Sequence, residues 1–139
     1  MSSEPEHLGW LIKRIQHRHH RSLDANLAEL EVSLVQWNAL REIARNPGCS
    51  QHQLAEQTFN SDQAMGTLIA RLQARGLVER RPGEGRATVH RLTPKGKTLL
   101  KAGQEVMSEV TSVSFAPLSR PERAELARLL TKVLELGEG

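Results

Sequence analysis

The sequence predicts a mainly α-helical chain interrupted once by a short β-hairpin, in the order α-α-α-α-β-β-α-α, and three observations predict it. Apolar residues recur every three to four positions over most of the 139 residues, the spacing that gathers them on one side of a helix. Residues suited to an N-cap stand before these runs at Ser33, Ser50, Ser61, Thr93 and Ser119. Between Leu77 and Leu92 the period becomes that of a strand, on either side of the turn-forming stretch Pro82-Gly83-Glu84-Gly85-Arg86.

The elements follow in order. Leu8, Leu11, Ile12 and Ile15, then Leu23 and Leu27, make one long helix of about residues 6 to 29. Ser33 with Gln36 is a capping-box pair, and Leu34, Trp37, Leu40, Ile43 and Ala44 continue at helical period until Asn46-Pro47-Gly48 stops the helix. A second capping box, Ser50 with Gln53, opens a short helix holding Leu54 and Ala55. Thr58-Phe59-Asn60 turns the chain, and Ser61 caps a further helix to about Arg75, after which Gly76 suits a left-handed C-terminal cap. In that helix Met65, Leu68, Ile69 and Leu72 share one side, leaving Gln63, Thr67, Ala70, Arg71 and Ala74 outward. Two strands follow, Leu77 to Arg81 and Ala87 to Leu92. Thr93-Pro94 starts a helix carrying Leu99, Leu100, Val106, Met107, Val110 and Val113 to about Ser114. Ser119 with Glu122 starts the last, whose stripe is Leu126, Leu129, Leu130, Val133 and Leu134.

Composition narrows the classes. A chain of 139 residues is the size of one domain, and with 38% hydrophobic and only 3% aromatic residues it is lean for a lone monomer, so pairing with a second copy is expected. The single Cys49 can form no internal disulfide, and the N-terminus turns charged within a few residues, so a cytoplasmic protein with no membrane span is expected. The net charge of +3 is unevenly placed: residues 66 to 101 hold nine basic against two acidic side chains, a local +7, between two mildly acidic flanks. Such a segment suits a polyanion, because Lys and Arg gain by displacing counterions from phosphates.

Two short helices around a tight turn, followed by a hairpin, make a winged helix-turn-helix whose second helix is slim enough for a DNA major groove. The stretch SQHQLAEQTFNSDQAMGTLIARLQARGLVERRPGEGRATVHRLTPKG resembles the MarR (multiple-antibiotic-resistance regulator) family, as do the long first helix, the LVQWNALREIA helix, the GLVERR entry to the wing and the LTPKG exit from it. That resemblance covers nearly the whole chain. It implies one domain over residues 1 to 139, with a winged head at about 33 to 93 and dimerisation helices at about 6 to 29 and 94 to 136. It further implies a homodimer on a pseudopalindromic site in double-stranded DNA, repressing transcription and released by a small-molecule effector. Half-sites would lie roughly 34 to 36 Å apart.

Candidate residues follow from position and chemistry. Gln63 and Thr67 face outward near a helix start, where side chains reach base edges, while Arg71 and Arg75 suit phosphates. Ser50 and Gln51, with His52, stand where backbone N–H groups attract a phosphate, and Asn60 and Ser61 either cap the next helix or touch DNA. By the resemblance, Glu84-Gly85-Arg86 occupies the place of an Asp-x-Arg at the wing tip, which makes Arg86 a minor-groove residue and Glu84 its orienter. The family pattern of Ser or Thr followed by Arg in mid recognition helix is replaced here by Gly66-Thr67. The family's effector cleft between dimer helices and head points to Trp10, His17, His20 and Trp37. No metal site is expected from His17 and His20, since Arg14, Arg18 and Arg21 crowd them with positive charge. No cofactor is expected either, and Cys49 is read as a bystander. A catalytic reading finds no glycine-rich phosphate loop, nucleophile elbow or suggestive carboxylate pair. A winged-helix adaptor remains the alternative, but it would not need the +7 segment.

Overall fold

The computed structural model describes residues 3–82 and 88–137. Its first helix, α1 (Glu4–Leu27), begins before the expected position because Ser3 accepts a hydrogen bond from the Glu6 amide and Pro5 fits the first turn. It runs into a 3₁₀ turn, Ala28–Leu30. Helix α2 (Leu34–Arg45) starts at a complete capping box: Ser33 Oγ accepts from the Gln36 amide at 3.1 Å and Gln36 Oε1 from the Ser33 amide at 3.1 Å. Helices α3 (Gln51–Gln57) and α4 (Asp62–Ala74) follow, and Gly76 ends the pair at φ +73°, a conformation that favours glycine.

Strands β1 (Val78–Pro82) and β2 (Thr88–Leu92) form an antiparallel hairpin in which Val78 pairs with Leu92 and Glu79 with Arg91. The wing tip, with Glu84 and Arg86, lies outside the described residues. Helix α5 (Pro94–Phe115) is capped by Thr93 through the Gly96 amide, and α6 (Arg120–Gly137) by reciprocal bonds between Ser119 and Glu122. The element order is the expected one.

Two apolar clusters hold these elements. The first joins Leu40 and Ile43 of α2, Leu54 of α3, Met65, Ile69 and Leu72 of α4, and Leu77, Val78 and Leu92 of the hairpin. The second joins Leu23 and Leu27 of α1 to Val32, Leu34 and Trp37. Leu99 and Leu100 of α5 pack against both. Each fully buried Leu, Ile or Met contributes about 1.5–3 kcal/mol by leaving water. Ala44, expected in the core, sits in the last turn of α2 and is exposed, while Ala39 is buried instead because α2 is covered toward α3 and α4.

A long apolar surface stays bare in the single chain. Leu8, Leu11, Ile12 and Ile15 of α1 and Leu129, Leu130, Val133 and Leu134 of α6 are exposed, although their spacing is that of a buried stripe. Val113, near the end of α5, is bare too. Helices α1 and α5 pack against each other, while the start of α5 also meets β2 of the hairpin.

Candidate nucleic-acid interface

The helix-turn-helix is built from caps. Ser50 Oγ accepts from the Gln53 amide at 3.1 Å and Gln53 Oε1 from the Ser50 amide at 2.9 Å, so Ser50 sets the start of α3. Ser61 Oγ accepts from the Ala64 amide at 3.1 Å and sets the start of α4. Between them the Asn60 amide donates to Thr58 O and Oγ1, folding its side chain back on the turn. Asn60 and Ser61 therefore hold α4 in place.

Met65, Leu68, Ile69 and Leu72 bury the inner face of α4, which fixes the outer face by exclusion. Gln63, Thr67, Ala70, Arg71 and Ala74 are all exposed there. A groove of about 420 Å³ between α4 and the start of α2 brings Asn60, Ser61, Gln63, Thr67 and Arg71 together beside Val35. Ser50 and Gln51 lie on α3 instead. The Gln51 amide crosses Gly66, where an added Cβ would come 3.1 Å from Nε2, so Gly66 is the seat of a neighbouring helix's side chain. Arg75 closes α4 at its far end, and its carbonyl accepts from Lys95 Nζ at 3.1 Å.

On the wing, Glu79 accepts from Arg81 at 3.0 and 3.2 Å and from Arg91 at 3.0 Å. The Arg81 hydrogen bonds, then that of Arg91, hold its carboxyl below the usual range, so one acidic residue organises two arginines on the hairpin face. His90, opposite Arg80, is buried at 6% exposure, and its Nδ1 has no partner among the described residues. Burial first and the Arg80 charge second push its imidazole below the ordinary value.

One arrangement was not legible as such in the sequence. His52 Nδ1 lies 2.8 Å from Asp62 Oδ1 and its Nε2 lies 2.8 Å from Glu56 Oε1, so the ring bridges α3 and the first turn of α4. The Asp62 hydrogen bond and charge, followed by Glu56, raise its pKa above the ordinary value. Only the i to i+4 spacing of His52 and Glu56 was readable; the Asp62 contact depends on how the two helices pack.

The residues expected at an effector cleft separate. Trp10 and His17 line a groove of about 980 Å³ along α1 with Arg14, Arg18 and Arg21. His20 turns to Asp24 at 3.2 Å. Trp37 is fully buried in the second cluster, its Nε1 donating to Leu100 O at 3.1 Å and its ring 5.2 Å from the Arg41 guanidinium, so it belongs to the core and not to an open wall. Between those two histidines on α1, His19 lies 2.6 Å from Ser114 Oγ and edge-on to Phe115, a contact between positions 95 residues apart that no local pattern announced. Cys49 is half-buried against the first cluster. Among the described residues no three His, Cys, Asp or Glu side chains converge as metal ligands, and no helix is long and apolar enough to cross a membrane.

The chain and its fold match known proteins. The family profile described as MarR family matches residues 30–87. Rv2887 of Mycobacterium tuberculosis, an HTH-type transcriptional repressor, is 30% identical over 128 residues, 91% of this chain and 92% of that protein. This chain belongs to the MarR family. Its structure superposes on that of Rv2887 in complex with DNA (TM-score 0.77, 28% identity, 91% of this chain and 96% of the other). It superposes equally on Rv2887 with p-aminosalicylic acid (TM-score 0.78, 29% identity, 91% and 97%) and on wild-type MarR of E. coli without ligand (TM-score 0.80, 27% identity, 91% and 96%). A MarR-family assignment accounts for the winged head and for the long flanking helices.

Proposed function

We propose that this MarR-family chain is a cytoplasmic transcriptional repressor that binds a pseudopalindromic DNA site as a homodimer, all 139 residues forming one unit, and that it catalyses no reaction. The observation that carries the reading is the outer face of α4: small and polar, bordered by Arg71, and continuous in sequence with the +7 segment. A face of that size enters a major groove without steric conflict, and the second copy covers the bare stripes of α1 and α6.

On this reading Gln63 and Thr67 meet base edges, while Arg71, Arg75, Ser50 and Gln51 meet phosphates. Asn60 and Ser61 position α4. Arg86 enters the minor groove with Glu84 as its orienter. The groove holding Trp10 and His17 beside three arginines takes the effector, a small aromatic carboxylate, whose ring would stack on the indole and whose charge would pair with guanidinium. The complex of the mycobacterial neighbour with p-aminosalicylic acid supports that ligand class.

The test is a titration of the protein against duplex DNA from its own upstream region and against a scrambled duplex, at several salt concentrations. The expected result is binding about a thousandfold tighter to the first, with a steep salt slope, weakened by added salicylate. Absence of binding to either duplex at low salt would displace this reading in favour of a winged-helix adaptor.

A further inference from the structure

The bridge at His52 is made by both ring nitrogens, each 2.8 Å from a carboxylate oxygen. A neutral imidazole carries one N–H and can donate to only one of the two. The imidazolium donates to both. The geometry therefore selects the protonated ring at a position where α3 meets the start of α4, and the same two carboxylates, Glu56 and Asp62, are the acidic side chains that α3 and α4 carry.

Without the bridge those carboxylates would stand beside phosphates and repel them. With it, one positive charge offsets part of that repulsion and pins the first turn of α4, which carries Gln63 and leads one turn on to Thr67. We propose that His52 is a proton-linked positioning residue of the DNA interface, so that DNA binding takes up a proton at each bridge and tightens as the medium becomes more acidic. This rests on the DNA-binding reading of α4 given above.

The charged groups that face His52 are Glu56 on its own helix and Asp62 on α4. On α2, which also packs on α3, Glu42 lies against Arg41 and Arg45, and those three charges are engaged with one another. Arg71 and Arg75 stand two or more turns along α4 from Asp62. All of these are unchanged in the variants that test the bridge.

The probe is the duplex most enriched from a randomised pool by the wild-type protein, titrated by fluorescence anisotropy at fixed ionic strength from about pH 8 to about pH 6. Wild type is expected to bind about fivefold more tightly at the acidic end, and His52→Gln to lose most of that gain while melting normally. An unchanged pH response in His52→Gln overturns the proposal. The bridge is read separately, without DNA, by NMR titration of the His52 ring: its midpoint should lie above that of an ordinary histidine and fall in Asp62→Asn. A midpoint at the ordinary value in both proteins also overturns it. If the pool yields no enriched duplex, the DNA-binding reading fails, and the NMR titration still decides the bridge.

Discussion

Replacing Gly103 with alanine tests the contact that joins the winged head to the long helix α5. A Cβ at this position would lie 2.1 Å from Trp37 Nε1 and 2.3 Å from Cδ1. Carbon contacts sit at about 3.5–4.0 Å, so either the indole or the helix must shift by more than about 1 Å. Trp37 has no room, being fully buried among Leu23, Leu27, Val32 and Leu34. Overpacking of this kind costs about 1–3 kcal/mol. If the ring tilts away, its N–H loses Leu100 O, its partner at 3.1 Å, and a buried unsatisfied donor costs about 1–3 kcal/mol more. Alanine returns about 1 kcal/mol through helix propensity. The net expectation is a loss of about 3 kcal/mol, measured by urea unfolding followed by circular dichroism at fixed protomer concentration. Trp37→Phe shortens the clashing ring, so the double variant should recover about 1 kcal/mol relative to the sum of the single changes. A Gly103→Ala protein as stable as wild type, within about 0.5 kcal/mol, would refute the packing argument.

Other expectations are independent of that joint. Phe59 ends α3 with a left-handed φ of +58° and a side chain 97% exposed, so Phe59→Gly removes about 1–2 kcal/mol of strain, gives back about 0.5–1 kcal/mol in chain entropy, and should raise the melting temperature slightly; a lower one would contradict the strain. His90 is held neutral by burial and by Arg80, so the unfolded chain takes up a proton that the folded chain refuses, and stability should fall as pH drops below about 6.5. His90→Phe should flatten that fall in urea titrations at several pH values, and an equal fall in both proteins would clear His90 of the effect. Arg86→Ala should weaken DNA binding by about 1–3 kcal/mol in anisotropy titrations with the unfolding curve unchanged, whereas unaltered affinity would remove Arg86 from the interface.

Local signals were legible in the sequence because their partners lie within a turn. The capping pairs at Ser33, Ser50 and Ser119, the caps at Ser61 and Thr93, and the left-handed Gly76 each depend on residues at most five positions away, and each is found where expected. The inner and outer faces of α4 were readable for a related reason, since one strong apolar stripe defines both. What depends on packing was not readable. Phe59 takes a glycine-like conformation because the Asn60 amide reaches back to Ala55 O and the Phe59 amide to Glu56 O, a cap that any residue fills if the turn demands it. Trp10 and Trp37 look alike in a helical pattern, yet one is exposed and the other buried. The difference is α5, whose Leu100 carbonyl and side-chain-free Gly103 make a slot for one indole only. His52 likewise gains its second carboxylate from a helix ten residues on.

The two core clusters divide the labour of the fold. The first fixes α4 and the hairpin against α2, which makes each head a rigid reader whose outer face cannot rotate without exposing Met65, Ile69 and Leu72. The second ties α1, α2 and α5 together around Trp37, and Leu99 and Leu100 are the residues common to both. The bare stripes of α1 and α6 lie outside either cluster, so the separation of two heads in a homodimer is set by surfaces that contribute nothing to the shape of one head. Reading two half-sites depends on that separation to within a fraction of a helical turn. If the effector sits as proposed beside Trp10 and His17, it meets α1 on the face that also carries Leu11 and Ile15 of the bare stripe, and it would change affinity for DNA by favouring one seating of the two copies over another. Effector release then requires no distortion of α4, and variants of Leu99 or Leu100, which couple the clusters, should alter stability and head orientation together.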